Sequence, residues 1–157
     1  MTLRVEPLTP ADASAIVTWR YPPPYDTYDV DVGPAHLLDP RHRYHGVWDG
    51  GELIGYCCFG VDATMPGGSY DDEQLEIGWG LHPDRMGHGR GREFVSAIVE
   101  HAERHYTPPA MGVTIAQFNE RSQRAARSAG FVQETGRFVE SDGMAFVQLR
   151  RKAPIPE

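Results

Sequence analysis

Between Leu75 and Val95 the chain changes its hydrophobic period around a cluster of glycines. Residues 75–82 mix β-formers with Gly78 and Gly80, and Pro83-Asp84 stop the strand. From about residue 90 the apolar positions Phe94, Val95, Ile98, Val99 and Ala102 fall at helical steps of three and four. Between strand and helix lies Gly87-His88-Gly89-Arg90-Gly91. A glycine turn opening a helix presents unpaired backbone N–H groups at the positive end of the helix dipole, which is an anion site suited to phosphate. Glycine also lets phosphate oxygens approach without a Cβ in the way. Two familiar phosphate motifs are excluded by spacing. A dinucleotide fingerprint counted from Gly87 or Gly89 meets Arg92 or Phe94 where its last glycine belongs, and no P-loop run exists.

The pattern resembles the acetyl-CoA motif of the GNAT superfamily of N-acyltransferases: strand, proline turn, then Q/R-x-x-G-x-G/A opening a helix. Met86-Gly87-His88-Gly89-Arg90-Gly91 fills the six positions. Met86 departs from the usual Gln or Arg, and Arg85 sits one place early. A second resemblance follows about forty residues later. Gly112–Phe118 reads as a strand, Asn119 as the N-cap of a helix, and Gly130-Phe131 as its C-terminal glycine and the start of another strand. Asn119, Ser122, Gly130 and Phe131 match the superfamily's N-x-x-A/S…G-F positions. The resemblance implies an α/β (α+β) fold. The sheet is expected to be mixed, mostly antiparallel and six- to seven-stranded, with helices on both faces and a splayed central strand pair.

The resemblance also implies roles. Acetyl-CoA is the expected co-substrate, held by Met86, Gly87, His88, Gly89, Arg90, Gly91 and Arg92, by backbone donors at Trp79, Gly80 and Leu81, and by Asn119 at the pantetheine arm. Many relatives carry a thiolate-protonating tyrosine seven residues after the Asn; here that position is Ala126. This likens the chain to the branch resembling ribosomal-protein N-terminal acetyltransferases, which also modifies small amines. Ser122 is the expected donor to the leaving thiolate and Glu76 the expected base, with Asp72 as fallback. The acceptor is expected to be a primary amine of a small molecule or a peptide N-terminus. A CoA-binding module with little catalysis and an unrelated nucleotide-binding protein stay as competing readings.

The segment Trp19–Asp29 packs four aromatics into ten residues around Pro22-Pro23-Pro24. Consecutive prolines exclude helix and central strand. Tyr21, Tyr25, Asp26 and Tyr28, with Asp72 from the acidic run 71–73, are candidate acceptor-site residues; a stiff loop packed on the sheet is the plainer alternative. Thr9-Pro10 starts a helix expected to reach about Arg20. A hairpin turns at Asp49-Gly50-Gly51, and a terminal hairpin turns at Ser141-Asp142-Gly143.

A chain of 157 residues makes one domain, expected over residues 1–150, with a polar tail at 151–157. The net charge of −7 argues against nucleic acid. The absence of a long apolar run or signal core argues against a membrane and for the cytoplasm. Cys57 and Cys58 are adjacent on a strand and read as reduced, buried thiols on opposite faces. No metal is expected: His101 and His105 lack a third ligand, and His42 and His45 lack a supporting cluster. A homodimer stays open.

Overall fold

The computed structural model describes residues 2–133, 138–139 and 143–153. The order is β1 (Leu3–Pro7), α1 (Pro10–Ile16), α2 (Pro34–Leu38), β2 (Tyr44–Asp49), β3 (Glu52–Phe59), β4 (Gln74–Leu81), α3 (Gly91–Tyr106), β5 (Ala110–Ala116), α4 (Glu120–Ser128), β6 (Val132–Gln133), β7 (Phe138–Val139) and β8 (Ala145–Lys152). The sheet runs β1-β2-β3-β4-β5-β8, and β6 and β7 both pair with β8. Those two short strands meet successive parts of β8, so eight strands fill seven positions. Among the described residues every pairing is antiparallel except β4 with β5.

The sheet alternation that sends successive side chains to opposite faces gives each face its own core. On one face α3 buries Phe94, Val95, Ile98, Val99 and Ala102 against Val47, Cys57, Phe59 and Ile77. Each large apolar side chain so buried contributes ~1.5–3 kcal/mol relative to exposure. On the other face Ala13 and Ile16 of α1 and Leu37 of α2 pack with Trp19, Tyr44, Leu53 and Tyr56. The expected fold is present, and so is the expected division of the cysteines: both are free and buried, Cys57 in the α3 core and Cys58 on the opposite side.

The central feature is an opening in the sheet. The parallel ladder between β4 and β5 joins Gln74 to Ala110, Leu75 to Met111 and Glu76 to Gly112, and ends there among the described residues. β4 continues to Leu81 while held on its other edge by β3, and β5 continues to Ala116 while held by β8. The two strands therefore diverge, leaving a wedge that opens toward the start of α3.

Several boundaries differ from the sequence expectation. α1 closes at Ile16, short of Arg20, because Thr18 and Trp19 bond back in three-residue turns to Ala15 and Ile16. Its start carries the full capping box, Thr9 with Asp12, of the kind whose loss costs ~1 kcal/mol. β5 ends at Ala116 because Asn119 N–H turns back to its carbonyl. β8 runs to Lys152, so the first residues of the expected tail belong to the sheet. The expected turn at Ser141-Asp142 and the last four residues lie outside the described residues.

Candidate active site

The wedge forms a cleft of about 680 Å³. Its floor is β4, its far wall β5 and the first turns of α4, and its mouth the glycine turn before α3. Main-chain direction on β4 can be read from its partners. His82 N–H donates to Ile54 and Gly60 N–H donates to Glu76 O, so the even-numbered residues face β3. The odd-numbered residues face the wedge, as the hydrogen bond from the Tyr21 hydroxyl to Leu81 O at 2.7 Å attests. Trp79 and Leu81 thus turn backbone groups into the cleft. Gly80 does not: its polar groups face β3, and its missing side chain makes room for the Tyr56 ring, which a Cβ would meet at 2.5 Å. For Gly80, then, the expected donor role is corrected to a steric one.

At the mouth, Gly87 and Gly89 take φ values of +77° and +76°, a region that L side chains rarely enter. α3 begins at Gly91 with no side-chain hydrogen bond capping it among the described residues. A Cβ on Gly91 would stand 3.0 Å from the Ala125 side chain of α4. Met86, Gly87, Gly89, Arg90, Gly91 and Arg92 all border the cleft; His88 is exposed and does not. Arg90 points its guanidinium away from the mouth, to Asp49 at 2.8 Å and Glu93 at 3.2 Å. A cation that the sequence reading missed lies closer. Arg121, in the first turn of α4, brings its guanidinium within 3.4 Å of the Cβ position of Gly87 and over the Tyr25 ring at 5.6 Å. Only the fold brings position 121 beside position 87.

Across the wedge, Asn119 caps α4 through Ser122 N–H at 3.1 Å. Its amide Nδ2 donates to the Tyr28 hydroxyl at 3.2 Å, which Ala116 N–H also approaches at 3.3 Å. The Ser122 hydroxyl accepts the Trp79 indole N–H at 3.0 Å. Ala126 is fully buried in the α3 core. The phenol beside Asn119 belongs instead to Tyr28, brought in by a short 3-10 turn at Tyr25–Tyr28. Burial raises its pKa above the ordinary value against the lowering effect of Asn119 and Ala116, so it stays protonated.

The carboxylates fall differently from expectation. Glu76 is buried, accepts the Gln74 amide at 2.6 Å beneath Gly112, and does not border the cleft. Glu76, the expected base acting directly or through water, therefore has no place on the cleft wall itself. Asp26 and Asp72 are exposed and away from the cleft, because each lies on the outer side of its loop. The acid that turns inward from the first loop is Asp29, which accepts Tyr21 N–H at 2.9 Å. The acid on the cleft wall is Asp62, in a 3-10 turn after β3. His36 Nε2 stands 2.5 Å and His42 Nδ1 3.0 Å from its carboxylate, and the Tyr44 hydroxyl donates to it at 2.9 Å. Desolvation pushes the Asp62 pKa up, but the hydrogen bonds from His36 and Tyr44 and the field of the histidines outweigh it and hold the group below its ordinary value. His42, which the sequence left without partners, is part of this cluster. Tyr21, Tyr25, Tyr28, Tyr44 and Tyr56 line the same region. Cys58 lies beside Asp62, and burial together with that charge pushes its thiol pKa up to about 12.

A family model described as an acetyltransferase (GNAT) domain matches residues 2–132. No curated protein matches the chain. Among solved structures, the fold is similar to an aminoglycoside acetyltransferase, AAC(6')-Ib, in complex with coenzyme A and kanamycin (TM-score 0.74, 20% identity, covering 96% of this chain and 95% of that one). It is similar to a spermidine N-acetyltransferase chimera from Vibrio cholerae and hSSAT (TM-score 0.73, 16% identity, 97% and 96% covered). It is also similar to a putative acetyltransferase, yncA, from Salmonella typhimurium with acetyl-CoA (TM-score 0.67, 19% identity, 100% and 99% covered).

Proposed function

This chain belongs to the GNAT acetyltransferase family, and from that premise we propose that it transfers the acetyl group of acetyl-CoA directly to a primary amine of a small molecule or a peptide N-terminus. The observation that carries the proposal is the wedge between β4 and β5, open to an uncapped helix start at one end and to a tyrosine-lined pocket at the other. The first end suits a pyrophosphate: backbone N–H groups, glycines at positive φ, and the Arg121 guanidinium. Similar structures hold coenzyme A or acetyl-CoA, and the tyrosine-lined end suits the amines named with two of them.

In this reading the neutral amine nitrogen attacks the thioester carbon, the C–S bond breaks, and the amine proton leaves to solvent. Backbone N–H groups at Trp79 and Leu81 stabilise the developing oxyanion. Ser122 or Tyr28 donates to the departing thiolate, each hydroxyl already accepting from a neighbour and free to give its own proton. Burial pushes the Cys58 thiol pKa up to about 12, which favours direct transfer over a covalent acetyl-cysteine. The reading is direct attack in one ternary complex.

The test pairs isothermal titration with a thiol-release assay. Acetyl-CoA is expected to bind and ATP not to bind, and thiol release is expected with at least one alkylamine of a panel. Binding without release over the whole panel would favour a CoA-binding module with little catalysis. Binding of ATP in place of acetyl-CoA would overturn the reading.

A further inference from the structure

We propose that the Asp62 carboxylate is a dedicated ammonium anchor, so that the acceptor site selects amines that arrive as cations and rejects neutral ones; the held ammonium gives one proton to solvent before its nitrogen attacks. The inference rests on the acyl-transfer reading above and assigns its acceptor class to one residue.

The position comes first. Asp62 sits in the turn that follows β3, and its neighbour Ala63 packs over Gly78, within 3.5 Å of where a Cβ on that glycine would be. Gly78 lies just past Glu76, where the β4–β5 ladder ends. The carboxylate therefore stands on the cleft wall beside the point where the sheet opens.

Its hydrogen bonding comes second. A carboxylate offers about four lone-pair sites, two on each oxygen. His36 Nε2 and the Tyr44 hydroxyl meet Oδ2 at 2.5 and 2.9 Å, and His42 Nδ1 meets Oδ1 at 3.0 Å. These contacts come from α2, the following 3-10 turn and β2, and they fix the carboxylate plane with one site on Oδ1 left over among the described residues. Stacking of the His36 and His42 rings, centroids 3.8 Å apart, holds the cradle in shape. The His36, His42 and Asp62 ligand atoms also lie within 4.8 Å of one another, close enough to hold a metal ion, so the test below includes a metal arm.

The surroundings come third. Tyr44, Tyr56 and Tyr21 line the same part of the cleft, and an ammonium held near aromatic faces gains cation–π attraction. Asp62 is the acidic side chain on the cleft wall here, with His36 and His42 behind it. The arginines that border the cleft, Arg85, Arg90, Arg92, Arg121 and Arg124, come from the 3-10 turn and glycine turn before α3, from α3 and from α4, at the other end. Phosphate and ammonium thus have separate ends of one channel.

The test uses benzylamine as a cationic acceptor and aniline as a neutral one of similar size. Asp62→Asn keeps shape and removes charge. It is expected to raise the benzylamine KM by about a hundredfold, to change the aniline KM less than threefold, and to leave the acetyl-CoA affinity unchanged. Wild-type protein gives a second measurement that needs no variant. Benzyltrimethylammonium should inhibit competitively against benzylamine and not against acetyl-CoA, while neutral benzyl alcohol should inhibit at least tenfold more weakly. Equal inhibition by the two compounds, or an unchanged benzylamine KM in a folded Asp62→Asn protein, overturns the anchor while leaving acyl transfer intact. Loss of benzylamine turnover on EDTA treatment, restored by Zn²⁺, also overturns it by showing that the cluster holds a metal. Absence of acetyl-CoA binding in the wild type instead overturns the underlying transfer reading.

Discussion

The indole N–H of Trp79 donates to the Ser122 hydroxyl at 3.0 Å, tying the end of β4 to the first turn of α4 across the wedge where the sheet opens. The bond fixes where the serine oxygen sits and fills one of its acceptor sites, which leaves its proton to point at a group in the cleft. Ser122→Ala is therefore expected to lower kcat about tenfold with the acetyl-CoA KM nearly unchanged, the mark of an interaction made in the transition state. Trp79→Phe removes the bridge but keeps the hydroxyl, and should lower kcat less. Steady-state kinetics beside a melting curve separates these effects; a Ser122→Ala protein with lower stability and full kcat would leave the serine as a cap partner alone.

Gly89→Glu should abolish acetyl-CoA binding. No atom lies within 4 Å of a Cβ at Gly89, so the side chain has room, but its charge would enter the anion site. The φ of +76° adds a backbone cost of ~1–2 kcal/mol for any L residue. Gly89→Asn is the control, since Asn tolerates this region and carries no charge. Calorimetric titration should give no binding for Glu and near-normal binding for Asn. Equal affinities in both would remove the phosphate from this turn.

Arg121→Ala should weaken acetyl-CoA about tenfold, or ~1.4 kcal/mol. The guanidinium stands beside Gly87 and is braced over Tyr25, so it is already oriented. The wild-type affinity should fall with added salt more steeply than that of the variant. Parallel salt dependences would place Arg121 outside the phosphate field.

How much of this was legible follows from how local each signal is. The glycine turn, the helix periodicity and the Asn119 cap lie within single elements, so the phosphate end of the cleft could be read from adjacent residues. The partnership of Arg121 with Gly87, and of Asp62 with His36, His42 and Tyr44, depends on which loops the sheet order brings together. No spacing rule reports that. Asp26 and Asp72 were attractive because they sit in aromatic or acidic runs, yet both runs turn those carboxylates to solvent. Asp62 lay in a stretch with no run at all. Glu76 was placed on the right strand, but the paired part of the ladder and the Gln74 amide enclose it before the cleft begins.

Stability should fall in acid through His101. The ring is buried against Phe59 and His45, and desolvation, followed by repulsion from His45, His105 and Arg104, lowers its pKa to about 4. His45 is lowered too, by burial and by His105, against a hydrogen bond to Arg43 O. A histidine whose folded pKa is depressed binds fewer protons folded than unfolded between its two pKa values. Stability is then fully present above the unfolded value of 6.5 and is lost as pH falls toward about 4. Stability from denaturant unfolding should be lower at pH 5 than at pH 7.5, and His101→Phe should narrow that difference by an amount on the order of 2 kcal/mol. An unchanged difference in that variant would remove His101 as the source.

The last expectation separates two hydroxyls. Tyr28 and Ser122 both stand at the start of α4, and either can serve the departing thiolate. Tyr28 accepts from Asn119 Nδ2 and lies within reach of Ala116 N–H, so its lone pairs are engaged and its O–H is the group left to donate. Burial keeps it protonated above the ordinary phenol range. A phenol that gives up its proton in the transition state acts as a general acid, an effect of roughly 10²–10⁴-fold. A serine hydroxyl is far too weak an acid to do more than donate a hydrogen bond, worth about tenfold. Tyr28→Phe should therefore lower kcat at least a hundredfold if the phenol is the acid, and the loss should shrink for an acetyl thioester whose thiol has a low pKa and needs no proton to leave. Acetyl-thiophenol analogues of the CoA arm supply that comparison. A Tyr28→Phe enzyme that loses only amine affinity, with kcat intact for both thioesters, assigns Tyr28 to the acceptor pocket and leaves water and Ser122 to receive the thiolate.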